Sequence, residues 1–230
     1  MIELQELLKK LEINYKDISY YKTALTHSSY GNENQVENNE RLEFLGDAVI
    51  ELLMSDYLYE NTDLPEGRMT IKRAQAVREE ALVIYSNKIE LNKYLLLGKG
   101  EESKGANNAM IADSLEAIFA ATYIDVGLEE SKKLFNKIVV PNLNEAFNIK
   151  DYKSILQEII HSGEKRNISY QIIKESGPSH NKSFEAVVML DKDIILGTGF
   201  GKTKKEAEQK AAEEALRKGN YDFKENIWRI

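Results

Sequence analysis

Along the first 147 residues apolar positions return every three or four residues, the spacing of helices with one face turned to a core. The pattern is clearest over 42–58, 69–86 and 109–124. Polar or glycine-rich stretches interrupt it: GNENQVENN (31–39), NTDLPEG (61–67) and GKGEESKGANN (98–108). No strand-like alternation intrudes, so the spacing predicts an all-α domain over 1–147. After Pro141 and NLNEAFNIKD the pattern changes. Residues 152–161 predict a short helix. SYQIIKES (169–176), SFEAVVML (183–190) and DIILGTGFG (193–201) are rich in β-branched residues and separated by turn signals. KTKKEAEQKAAEEALRKG then carries strong helix formers and ends on Gly219. The chain is therefore expected to be multidomain: an all-α domain over 1–147, a small α+β domain of order α-β-β-β-α over 151–220, and a tail over 221–230.

Composition narrows the class. Hydrophobic residues make up 42% and charged residues 30% of the 230, enough apolar surface for a core. There is no cysteine, which excludes disulfides and thiolate metal sites and fits a reducing compartment. No apolar run approaches the roughly 18 residues of a membrane span. The start, MIELQELLKK, is charged and amphipathic, unlike a secretory signal. The expectation is a cytoplasmic chain with no membrane partner. The net charge of −7 argues mildly against nucleic acid, but its distribution softens that argument. Residues 1–150 hold 17 basic and 25 acidic residues, whereas 151–230 hold 14 basic and 13 acidic.

The acidic residues of the helical part are not scattered. In NERLEFLGDAV (39–49), Glu40, Glu43 and Asp47, with Glu51 beyond, fall on one stripe of a helix. Leu42, Leu45, Val49, Leu52 and Leu53 fall opposite and are expected in the core. Like charges one turn apart cost roughly 0.2–0.5 kcal/mol per pair. Taken alone, such a stripe reads as a solvated face that tolerates this cost. A second segment changes the reading. In MIADSLEAIFAATY (110–123), Asp113 and Glu116 lie one turn apart, flanked by the small Ala117 and Ala120, which leave room for something to approach. If the two helices cross with these faces together, Glu43, Asp47, Asp113 and Glu116 form a four-carboxylate cage suited to magnesium or manganese. A di-iron bundle would need Glu-x-x-His pairs, which His27, His161 and His180 do not supply. Phe44 lies on the acidic side, either as a lone exposed aromatic or as an anchor for a partner's pocket.

NERLEFLGDAV closely resembles the signature helix of bacterial ribonuclease III. PEGRMT (65–70) and ADSLEAIFAATYID (112–125) are similar to the family's later motifs, in the same order and at similar spacing. The resemblance implies a magnesium-dependent endonuclease specific for double-stranded RNA, with manganese able to substitute. It implies that Glu43, Asp113 and Glu116 hold metal and that Asp47 and Glu116 are catalytic. Glu40 matches an acidic position linked to a homodimer interface, Glu66 one that supports the site, and Phe44 the aromatic that plugs the neighbouring subunit. Products with 5′-phosphate and 3′-hydroxyl ends and short 3′ overhangs follow from the same likeness, as do ribosomal and other structured RNA precursors as substrates. ALTHSSY (24–30) also looks like a family motif; we read His27 as structural, holding the N-terminal helices together.

GFGKTKKEAEQKAAEEAL (199–216) resembles the last part of a double-stranded RNA-binding domain. Independently of that likeness, Lys202, Lys204 and Lys205 crowd a helix start, where amide N–H groups and the dipole favour anions. A lysine cluster is otherwise a solvated face; here the preceding helix and three strands favour a phosphate clamp. In such a domain Gln157 and Glu158 would lie in one minor groove and His180 in the next, reading A-form shape over about 16 base pairs. Two rivals predict different behaviour. A catalytically silent RNA binder would hold duplex in magnesium without cutting it. A hydrolase of small phosphorylated compounds would keep its turnover after deletion of 151–230. No role is read for His161 or for NYDFKENIWRI at 220–230.

Overall fold

The computed structural model describes residues 2–149, 151–163, 166–178 and 182–219. The chain divides into two compact units, Met1–Ile149 and Lys150–Ile230. The first is helical throughout its described residues: α1 (Ile2–Lys10), α2 (Ile18–Ala24), α3 (Ser28–Asn34), α4 (Glu40–Asn61), α5 (Glu66–Val77), α6 (Glu79–Lys88), α7 (Lys99–Glu102), α8 (Asn108–Val126), α9 (Leu128–Ile138) and α10 (Leu143–Phe147), with 3-10 turns at Leu91–Tyr94 and Val140–Asn142. No helix among the described residues is long and apolar enough to cross a membrane.

α8 is the axis of this unit. It is apolar on nearly every side, as a helix surrounded by others must be. Leu115, Ala117, Ile118, Phe119, Ala120 and Ala121 have no exposed surface. Phe119 meets Phe135 of α9 edge-on, with ring centroids 6.5 Å apart. Two buried hydroxyls on α8 satisfy themselves one turn back: Ser114 donates to the Met110 carbonyl and Thr122 to the Ile118 carbonyl, each at 2.8 Å. Near the helix's end, the buried Asp125 accepts the backbone N–H groups of Lys16 (2.8 Å) and Asp17 (2.9 Å) and the Tyr21 hydroxyl (3.3 Å). That carboxylate fastens the loop between α1 and α2 to the core.

α4 lies against α8, and the closest approach is at Gly46. A Cβ placed there would fall 1.9 Å from the Glu116 carbonyl oxygen. The two backbones touch at this point because residue 46 has no side chain. Ala117 and Ala120 are likewise buried within the core. The room that small residues leave beside Asp113 and Glu116 is taken up by protein rather than held open for a ligand.

Two expectations are corrected. Leu52 is not in the core but 53% exposed; it stands at the edge of the apolar arc nearest Phe44. The periodic stretch 69–86 is two helices, broken at Arg78, whose backbone is extended (φ −68, ψ 157). No glycine or proline announces this break. The Arg78 guanidinium donates to the Ile149 carbonyl at 2.8 Å.

The second unit comprises α11 (Tyr152–Gly163), β1 (Ile168–Ser176), β2 (Ser183–Leu190), β3 (Ile194–Gly201) and α12 (Lys204–Lys218). The strands form an antiparallel sheet in the order β1-β2-β3. Phe184, Ala186 and Val188 of β2 face a core completed by Leu156 and by Ala207, Ala211, Ala215 and Leu216 of α12. β3 approaches α12 through alternate glycines: a Cβ at Gly199 would sit 2.2 Å from the Ala207 carbonyl oxygen, and one at Gly197 would sit 2.4 Å from that of Ala211. Glycine on the strand and alanine on the helix make the layer thin. Gly219 caps α12 in a right-handed conformation (φ −73), so it ends the helix without the left-handed turn that terminal glycines often supply.

Candidate active site

Contact at Gly46 places the acidic turn of α4 beside that of α8. One oxygen each from Glu43, Asp113 and Glu116 can be chosen so that all three lie within 4.8 Å of one another. All three residues are partly buried. Asp47, one turn beyond Glu43, is exposed.

The electrostatics follow from burial and from like charge. Burial, followed by the charges of Asp47, Asp113 and Glu43, pushes the Glu116 carboxyl up to about 8. Glu43 is raised by burial, then by Asp113, Glu40 and Asp47. Asp113 is raised by burial, then by Glu79, and His27 acts in the opposite sense. Asp47 thus bears on Glu116 more than either neighbouring acid does, although it is not one of the three whose oxygens converge. Such a cluster at neutral pH must either retain protons or take up a cation. Three carboxylates offering oxygen only, on two rigid helices, suit a hard divalent ion.

The remaining acids stand apart from this convergence. Glu40 is exposed at the first turn of α4, where the Asn38 amide donates to it at 3.3 Å. Glu66 opens α5, exposed, and accepts from the Thr70 hydroxyl at 3.1 Å. Phe44 is 84% exposed. With Ala48, Leu52 and Tyr59 (79% exposed) it forms an apolar stripe along the outer side of α4.

Sequence reading misses two contributors. Glu79 is hidden when 69–86 is read as one helix; the pair Glu79 and Glu80 after Arg78 is a first-turn acidic signal that could reveal the second helix. Gly46 is easily passed over inside the motif, although a glycine in a helix interior costs about 1 kcal/mol against alanine and usually marks a close approach.

In the second unit, Thr203 caps α12 by accepting from the Glu206 N–H at 3.1 Å, and Glu206 reaches back to the Lys202 N–H at 2.7 Å. Lys202, Lys204 and Lys205 flank this start and are exposed. Glu206 also accepts from Lys210 at 2.6 Å, so one carboxylate already sits among the lysines. Gln157 is exposed on α11. The Glu158 side chain and His180 lie outside the described residues. α11 is tied to α12 by Tyr152 donating to Glu213 and by the Lys153–Glu208 ion pair, both at 2.6 Å.

Comparison with known proteins agrees with both units. The Ribonuclease-III-like family model matches residues 17–143, and the Double-stranded RNA binding motif matches residues 152–218. Ribonuclease 3 of Onion yellows phytoplasma is 53% identical over 221 residues, covering 95% of this chain and 92% of that one. Ribonuclease 3 of Staphylococcus epidermidis is 44% identical over 218 residues, covering 91% and 89%. A solved nuclease domain of ribonuclease III from Campylobacter jejuni, described as flexible in a region involved in dimer formation, is 32% identical with a TM-score of 0.56. That likeness covers 60% of this chain and 97% of the solved one. Fold and carboxylate cluster define a helical nuclease domain followed by a double-stranded RNA-binding domain. The chain belongs to the ribonuclease III family and is an endoribonuclease acting on double-stranded RNA.

Proposed function

We propose that the chain is a magnesium-dependent homodimeric endonuclease that cuts both strands of an RNA duplex, leaving 5′-phosphate and 3′-hydroxyl ends with short 3′ overhangs. The observation that carries this reading is the convergence of Glu43, Asp113 and Glu116 within 4.8 Å. These three would hold the ion, and manganese would substitute through the same oxygen ligands. A divalent ion bound there supplies Lewis-acid stabilisation of the phosphodiester and activation of water.

The chain's own residues do the rest. Rigid helices fix the carboxylates, so little reorganisation is needed during the reaction. Asp47, exposed and one turn beyond Glu43, completes the catalytic pair with Glu116. Without a cation the acidic face repels RNA phosphates, so the same carboxylates gate substrate approach. Glu40 and Glu66 act at the margin of the site and its interface. The stripe of Phe44, Ala48, Leu52 and Tyr59 is the surface a second copy would cover. Two sites related by a two-fold axis match the approximate two-fold symmetry of a duplex. Lys202, Lys204 and Lys205 clamp phosphate, while Gln157, Glu158 and His180 reach minor grooves. Precursors of ribosomal and messenger RNA, which contain long duplex stems, fit as substrates in a cytoplasmic setting.

The test is incubation of the full chain with a long labelled RNA duplex in magnesium, in manganese and in EDTA. Cleavage in both metals and none in EDTA is expected, with ligatable 5′-phosphate ends. Binding without cleavage in magnesium would reduce the protein to an RNA binder.

A further inference from the structure

Asn39 stands at the start of α4, yet it does not cap the helix. Asparagine is among the strongest N-caps. Here its backbone is already right-handed helical (φ −81, ψ −11) and its side chain makes no cap hydrogen bond. Asn38 takes that duty, its Oδ1 accepting the Glu40 N–H at 3.2 Å. The Asn39 side chain goes to α8 instead, where its amide donates to the Ser114 hydroxyl oxygen at 3.5 Å. Ser114 gives its own proton to the Met110 carbonyl at 2.8 Å, so its oxygen is left to accept. Both residues are buried, Asn39 being 3% exposed and Ser114 not at all. A buried amide or hydroxyl that loses its partner costs free energy, so the pair resists separation.

The backbone of Asn39 is fixed as well. Its N–H donates to the Thr26 carbonyl at 2.9 Å, and its carbonyl accepts the Glu43 N–H at 2.8 Å. Thr26 is 2% exposed and bridges to Leu96, which anchors the start of α4 to the body of the unit. Glu43 therefore lies between two points at which α4 is tied to α8. One turn before it, Asn39 meets Ser114; one turn after it, Gly46 meets the Glu116 backbone. On α8 these points are residues 114 and 116, within the turn that carries Asp113 and Glu116. With the Gly46 contact alone, the first turn of α4 is free to pivot about it, and Glu43 moves relative to Asp113.

We infer that Asn39 is a positioning residue: through Ser114 it stops α4 pivoting on Gly46, and so fixes Glu43 opposite Asp113 in the geometry that takes the divalent ion. The inference rests on the ion site proposed above. Outer partners of metal-binding side chains typically contribute about 10–100-fold to metal affinity.

Asn39→Ala and Ser114→Ala break the contact from either side in the full chain. Manganese alone is titrated by calorimetry without RNA, and each protein's melting is followed in EDTA. Each single variant is expected to bind Mn2+ about 10-fold more weakly, the lower end of that range. The double variant is expected to lose no more than the singles, since residues that act through one contact are not additive. Thr122→Ala is the control. It removes a buried hydroxyl from the same helix, bonded to the Ile118 carbonyl, and should melt lower while keeping wild-type Mn2+ affinity. Wild-type affinity in either single variant, losses that multiply in the double variant, or an equal loss in Thr122→Ala would overturn the inference. Should Asn39→Ala not fold, Ser114→Ala against Thr122→Ala decides by the same comparison. Failure of the wild type to take up Mn2+ is a separate result: it removes the ion site and the inference with it.

Discussion

Gly46→Ala tests the contact on which the site depends. In a helix interior, alanine is ordinarily better than glycine by about 1 kcal/mol. Here the added Cβ would lie 1.9 Å from the carbonyl oxygen, 2.3 Å from the carbonyl carbon and 3.0 Å from the Cα of Glu116. These are backbone atoms of a central buried helix and cannot swing aside. To restore ordinary packing distance, α4 must retreat by about 1.5 Å at that turn. Overpacking of this kind typically costs about 1–3 kcal/mol, which outweighs the gain in propensity. For a unit of this size each kcal/mol lowers Tm by roughly 2–4 °C. The functional loss should be larger than the stability loss. The retreat carries Glu43 and Asp47 away from Asp113 and Glu116, and a misplacement of about 1 Å can cost on the order of 10²-fold in rate. Circular dichroism melting in EDTA, Mn2+ calorimetry and cleavage of a labelled duplex would measure the three effects. A Gly46→Ala protein that melts lower but cuts and binds Mn2+ like the wild type would refute the claim that this contact sets the ligand geometry.

Other consequences are direct. Glu116→Gln should abolish cleavage and leave duplex binding near normal. It should also change the pH dependence of stability in EDTA. The Glu116 carboxyl, pushed up to about 8 when folded, stabilises the fold fully below its unfolded value near 4.5 and loses that contribution as pH rises to about 8. Glutamine has no such loss, so the variant's Tm should gain on the wild type between pH 5 and 9; parallel curves would contradict the burial of that charge. Lys204→Ala with Lys205→Ala should weaken duplex binding and flatten its salt slope by about 1 for each phosphate no longer neutralised, measured by filter binding over a salt series. Phe44→Ala should shift the chain toward monomer in sedimentation by at least about 2 kcal/mol, the scale of an interface anchor; an unchanged dimer constant would place the interface elsewhere.

Much of the fold is legible from periodicity because each part obeys one rule. The change from three-and-four spacing to alternation after Pro141 separates the two units, and the strands expected at 169–176, 183–190 and 193–201 lie within a residue of those observed. What periodicity does not carry is helix breaks without glycine or proline. Arg78 ends α5 because its backbone turns extended and its side chain reaches the Ile149 carbonyl, a tertiary contact invisible to a local pattern. Leu52 fails for a related reason. At the edge of an apolar arc, burial depends on which neighbour covers it, and among the described residues α4 has no neighbour on the side of Phe44, Leu52 and Tyr59.

The site shows the same division between residue type and position. Carboxylates at three- and four-residue spacing on two helices are enough to expect a cage, but spacing cannot say which members converge. The helix crossing decides it. Because Gly46 rests on the Glu116 carbonyl, Glu43 meets Asp113 and Glu116, while Asp47 faces outward. The same packing explains why an acidic unit can serve a nucleic-acid enzyme. A net charge of −8 over residues 1–150 opposes RNA when spread over the surface. Gathered on the half-buried faces of α4 and α8, part of that charge raises the carboxyls instead, so the proposed divalent ion would displace protons on binding. Its apparent affinity should therefore rise with pH through the range in which Glu116 titrates, up to about 8.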